Sequence, residues 1–162
     1  MKLEMNAEEI LEVACQIERN CGEFYRSAAE RVKDPASRKL LLELADFEDQ
    51  HISLFENMRV EVAVLDKLLG DTDNEASKYL QALAGGHIFS EAENPSTRIR
   101  DDMSPKEIFK IAINLEISAV VFYQGIREVL TDDSQKGKLD DLIHEEMRHV
   151  TILSNGIASI EE

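Results

Sequence analysis

The sequence predicts an all-α fold: a four-helix bundle made of two helical hairpins joined by a long crossover. Three observations predict it. Apolar residues recur at three- and four-residue spacing along four long stretches. Turn formers are scarce, with 7 Gly and 3 Pro in 162 residues, which argues against a sandwich of short strands. The two ends of the chain match each other without a gap at an offset of 98 positions, a sign of internal repetition.

Each element has its own start and stop. Asn6 and Glu9 have capping-box spacing, and a helical pattern follows through Ile10, Val13, Ile17, Phe24, Ala28 and Val32. Asp34-Pro35 ends it and starts the next helix, with Asp as cap and Pro at the first position. That second helix carries Leu40, Leu41, Leu44, Phe47, Leu54, Phe55 and Met58, and its pattern extends to Gly70. Ser104-Pro105-Lys106-Glu107 starts a third helix, which runs through Ile108, Ile111, Leu115, Phe122, Ile126 and Leu130. Thr131 to Ser134 turns the chain into a fourth helix, which carries Leu139, Leu142, Ile143, Val150 and Leu153 and is expected to fray near Asn155-Gly156. Between the second and third helices the spacing predicts a short helix, Glu75 to Ala84, ended by Gly85-Gly86. The rest of this crossover, including Asn94-Pro95, reads as an ordered surface segment. The chain reads as one domain, 1–162, with hairpins at 5–69 and 103–160 and the crossover at 70–102.

Composition narrows the function. The chain is 43% hydrophobic, 31% charged and carries a formal net charge of −15. That balance argues against nucleic acid or an anionic membrane as partner, because both need a basic footprint. There is no CxxC, and Cys15 and Cys21 fall on different faces of one helix, where they cannot bridge. The opening residues lack the apolar core of a signal peptide. A reduced, cytoplasmic protein is expected.

The repeat places chemistry as well as helices. Glu18 aligns with Glu116, Tyr25 with Tyr123, Glu48 with Glu146 and His51 with His149. In the first hairpin Glu18 lies 16 residues before Asp34, while Glu48 and His51 lie 14 and 17 after it. Equal distance from a turn means equal height in antiparallel helices. The second hairpin repeats these intervals around Asp132, and a rough two-fold axis brings both sets to the middle of the bundle. Glu48/His51 and Glu146/His149 are each Glu-x-x-His, whose spacing puts both side chains on one helix face. With 21 Glu and four His in the chain, two such tetrapeptides arise by chance about once in twelve. The shared offset and matched heights therefore carry the weight. This is the ligand set of a dinuclear carboxylate site in a bundle with one long connection, the ferritin-like arrangement. Glu48 and Glu146 would bridge two ions, with Glu18, Glu116, His51 and His149 as terminal ligands. Without cations four buried carboxylates would repel one another. Mixed carboxylate and imidazole donors suit iron or manganese, and also admit zinc.

On these six residues, and on Tyr25 and Tyr123 seven positions beyond Glu18 and Glu116, the chain resembles the rubrerythrin-like branch of the ferritin-like superfamily over nearly its whole length. The resemblance implies a non-haem di-iron centre that reduces hydrogen peroxide or dioxygen with electrons from an external donor. Two departures bear on that expectation. Rubrerythrins usually carry a rubredoxin module with paired CxxC motifs. They also carry a further Glu three residues past the third-helix ligand, where this chain has Ala119, with Cys21 as its repeat mate. The second departure makes ferroxidase or oxidase chemistry more plausible. The alternatives are an iron-handling protein that oxidises ferrous ion, or a non-catalytic metal-binding dimer module. A homodimer is the expected assembly.

Supporting residues have two readings each. Tyr25 and Tyr123 are either catalytic-site residues, bonded to a ligand carboxylate or relaying electrons, or core tyrosines. Glu145 either holds the ring N–H of His51 or is a solvated charge, and its repeat mate Phe47 leaves His149 without that device. The small residues Ala14, Cys15, Cys21 and Gly22 either leave room for an oxidant or allow close helix packing. Cys21 is expected to be a small core residue. His87 and His144 lie off the ligand faces.

Overall fold

The computed structural model describes residues 5–59, 74–84 and 94–161. Four long helices form the bundle: α1 (Ala7–Arg31), α2 (Pro35–Met58), α4 (Pro105–Val129) and α5 (Asp133–Glu161). A short α3 (Glu75–Ala82) and a 3-10 turn (Pro95–Arg98) lie in the crossover. The start signals act as their chemistry requires. Asn6 and Ser104 both close complete capping boxes with Glu9 and Glu107. Asp34 caps α2 through the Ser37 amide, and Asp132 accepts from the Gln135 amide at the start of α5. Each bond satisfies a backbone donor that a helix start leaves without a partner.

Packing is most extensive within the hairpins, α1 on α2 and α4 on α5. Phe55, on the open side of the first hairpin, lies 4.9 Å between ring centroids from Tyr123, on the turn side of the second. The hairpins therefore lie head to tail, and their connection has to travel the length of the bundle. The described parts of the crossover mark both ends of that path. Near one end the Met5 amide donates to Gln81 Oε1 at 2.7 Å and Tyr79 donates to the Val121 carbonyl at 3.0 Å. Near the other, Ser96 bonds Glu23 and Arg31 reaches Asp101 at 3.3 Å. α3 sits close on α4 because Gly125 has no side chain; a Cβ there would lie 2.8 Å from Leu80 and Tyr79.

One boundary differs from the sequence expectation. α5 does not fray at Asn155-Gly156 but continues to Glu161. Gly156 is a packing position: a Cβ on it would come within 2.7 Å of the Phe109 ring of α4. The short α-helix stops at Ala82, but Leu83 and Ala84 continue it as a π turn to the expected end. The expected extension of the second helix to Gly70, the Gly85-Gly86 stop and His87 lie outside the described residues.

α4 is the one described helix long and apolar enough to cross a membrane by length and composition. Its apolar side faces the bundle, where Ile108, Phe109, Ala112, Phe122 and Ile126 are buried together with Glu116. Above and below mid-height the core is apolar, with Ile10, Leu41, Phe55, Ile108, Leu139 and Leu153 almost fully buried.

Candidate metal centre

At mid-height the core changes character. Glu18, Glu48, His51, Glu116, Glu146 and His149 are all buried, none more than 4% exposed. α1 and α4 contribute one glutamate each, while α2 and α5 contribute a Glu-x-x-His pair each. The i, i+3 spacing aims both side chains of a pair inward, one turn apart. The structure brings all six expected residues together.

Their donor atoms form two overlapping groups. Glu18, Glu48, His51 and Glu146 offer atoms within 4.8 Å of one another, and so do Glu48, Glu116, Glu146 and His149. Glu48 and Glu146 belong to both groups, the position a bridging carboxylate needs. Both imidazoles point Nδ1 inward. His51 Nδ1 lies 3.0 Å from Glu146 and 3.4 Å from Glu18; His149 Nδ1 lies 2.9 Å from Glu146 and 3.5 Å from Glu116. The two rings are stacked, 5.8 Å apart.

These contacts are close but do not have hydrogen-bond geometry. Among the described residues, Glu18 Oε2, Glu48 Oε1, Glu116 Oε2, both Glu146 oxygens and both Nδ1 atoms are buried without a hydrogen-bond partner. Buried polar atoms are nearly always paired. Seven such atoms in the two overlapping groups, all of them carboxylate oxygen or imidazole nitrogen, fit divalent cations of the iron and manganese class.

Without cations the cluster binds protons instead. Burial pushes Glu48 well above the usual carboxylate range, with Glu18 and Glu116 adding repulsion. Burial and then Glu146 push Glu116 up to about 8. Burial works against charge on the imidazoles, yet the carboxylates prevail: Glu146 and Glu18 raise His51 to about 11, and Glu116 and Glu146 raise His149 to about 9. Glu146 is also opposed by burial, but His149 and His51 hold it at about 2.

The surrounding residues resolve several open readings. Tyr25 and Tyr123 are fully buried, and each donates its hydroxyl to a carboxylate of the cluster. The bonds run crosswise: Tyr25 on α1 to Glu116 on α4, and Tyr123 on α4 to Glu18 on α1. Seven residues along one helix is about 10 Å, too far for a bond within the helix, so each tyrosine reaches the facing one. Both bonds go to Oε1: on Glu18 this leaves Oε2 as the oxygen facing His51 Nδ1, while on Glu116 the bonded Oε1 is also the oxygen 3.5 Å from His149 Nδ1. Burial, followed by the neighbouring carboxylates, keeps both phenols well above their usual range, so they remain donors.

Glu145 Oε2 lies 3.0 Å from His51 Nε2, the contact its position allows. Phe47 is packed on the His149 ring at 5.3 Å; the repeat located this residue, but its contact was not legible from spacing. Cys21 is buried beside all four carboxylates, and burial first, then their charge, pushes its thiol well up. It stays neutral, as a small core residue would. Cys15 and Cys21 are both free. His144 is bonded to the Asp140 carbonyl on its own helix, away from the cluster.

The fold has a relative among solved structures. A chain described as a ferritin-like diiron-carboxylate protein from Thermotoga maritima superposes with a TM-score of 0.67 at 23% identity, covering 96% of each chain. That likeness concerns the fold. No curated protein sequence matches the chain. The rubrerythrin family profile matches residues 9–157, nearly the whole chain and all six clustered residues, and the chain belongs to the rubrerythrin family.

Proposed function

We propose that this protein is a non-haem di-iron oxidoreductase that reduces hydrogen peroxide or dioxygen with electrons from an external donor. The observation that carries this reading is the pair of overlapping donor groups sharing Glu48 and Glu146. Glu18 and His51 would complete one seat, and Glu116 and His149 the other. Two ferrous ions bound there would supply the two electrons that, with two protons, turn hydrogen peroxide into two water molecules.

The chain's own residues prepare the site. Tyr25 and Tyr123 each bond one oxygen of a terminal glutamate, which would hold both carboxylates in place through turnover. Each phenol also holds a proton at its Oη, within a hydrogen bond of a cluster carboxylate. Phe24 and Phe122 pack edge-on against Tyr25 and Tyr123, and Phe55 covers Tyr123. This apolar collar excludes bulk water and strengthens electrostatic interactions inside.

A second reading, oxidation of ferrous ion as a substrate, is favoured by Ala119 and Cys21. These small side chains stand where a seventh carboxylate would come, and leave a near-symmetric set of six.

The test is a ferrous titration followed by rapid mixing with peroxide or dioxygen. Wild-type protein should bind two irons per chain and consume peroxide, whereas His51→Ala and Glu146→Ala should bind fewer. Wild-type binding no better than that of the variants refutes the proposal. Oxidation of many ferrous ions per chain without a donor favours the second reading.

A further inference from the structure

We infer that the two metal seats are unequal, and that Glu145 makes the seat at Glu18 and His51 the tighter one. This rests on the dinuclear reading above and goes beyond it, since that reading treats the seats as equivalent.

The repeat makes the comparison clean. Positions 47 and 145 are mates at the offset of 98, as are His51 and His149. Each position 47 or 145 lies behind the histidine of the opposite hairpin. On one side Glu145 Oε2 stands 3.0 Å from His51 Nε2. On the other the Phe47 ring lies 5.3 Å from the His149 ring, and among the described residues none forms a hydrogen bond with His149 Nε2.

The difference acts through the ligands. With Nδ1 turned to the ions, Nε2 carries the hydrogen. A carboxylate accepting that hydrogen fixes the tautomer, holds the ring in place and makes Nδ1 a stronger electron donor. An aromatic ring packs against the imidazole but accepts no comparable bond. Glu145 also adds one negative charge near its seat. All three effects favour a cation at Glu18 and His51 over one at Glu116 and His149. Loss of such a supporting carboxylate typically weakens metal affinity by about 10- to 100-fold. Glu145 is a positioning residue, since it acts through His51.

Titration with Co2+ alone, followed by calorimetry and visible absorption, tests this, with helicity checked by circular dichroism. Two ions in a shared cage repel, so unequal steps alone decide nothing; the variants do. His51→Ala should abolish the tight step, and His149→Ala should abolish the weak one. Glu145→Gln should weaken the tight step by about 10- to 100-fold and leave the weak step unchanged. Phe47→Glu should strengthen the weak step. Glu145 and Phe47 are 39% and 40% exposed, so neither change threatens the core. Equal losses in the two histidine variants, or a tight step in Glu145→Gln within threefold of wild type, overturn the inference. Wild-type protein that takes up no cobalt overturns the dinuclear reading as well.

Discussion

The apolar ends of the bundle and its polar mid-height are built from the same four helices by opposite rules. Toward the ends, Ile10, Leu41, Ile108 and Leu139 are fully or almost fully buried and fill space. At mid-height, six ionisable side chains meet with seven donor atoms left without hydrogen bonds. Hydrophobic burial stabilises the ends. The middle costs free energy in the metal-free chain, because desolvated charges and unpaired acceptors are both unfavourable. The contrast teaches that the ends hold the fold against the strain of the site, and that bound cations would reverse the sign of the middle.

The largest expected effect falls on the ends. Leu41→Ala should lower unfolding free energy by about 2–5 kcal/mol, measured by urea denaturation, with metal stoichiometry unchanged. A loss of metal binding together with stability would break the division between the two regions.

The next effect is the pH dependence of the middle. In the metal-free fold Glu48, Glu116, His51 and His149 all have pKa values raised above their ordinary 4.5 and 6.5. The folded state then binds more protons than the unfolded one, so their contribution falls as pH rises. It is fully present below the ordinary value and lost by the folded value, about 8 for Glu116, 9 for His149 and 11 for His51. Glu146 runs the other way: its contribution is present above 4.5 and lost as pH falls toward about 2. The metal-free protein should therefore melt highest near pH 4.5 and progressively lower toward pH 9. Metal displaces those protons, so its stabilising effect should grow over the same range, by about 1.4 kcal/mol per pH unit for each proton released. Parallel thermal melts with and without Mn2+ read both slopes. Slopes of the same sign would mean that the six donors do not bind the ions.

The smallest effect is at the rim of the middle. Tyr123→Phe leaves Glu18 Oε1 without its donor and should cost about 1–3 kcal/mol in urea denaturation. Tyr25→Phe should behave alike, since the two bonds are related by the repeat.

Much of this was legible in the sequence because the repeat duplicates every signal. The cap, the Glu-x-x-His pair and the single glutamate each occur twice at one offset, which turns weak motifs into a placement. Glu145 was legible for the same reason, as a neighbour of a clustered residue with a dissimilar mate. What spacing along one helix could not supply was contact between helices. The crosswise tyrosine bonds depend on which helix faces which. Gly156 reads as a helix breaker until Phe109 of a different helix is seen to occupy its missing side chain's place.

The head-to-tail setting of the hairpins has a mechanical consequence. Each donor group takes three residues from one hairpin and a single glutamate, Glu48 or Glu146, from the other. Helices pack more extensively within a hairpin than between hairpins, so the cluster sits on the weaker seam. Any ion bound there is a rivet through that seam, and pulling the halves apart would require shearing its bonds.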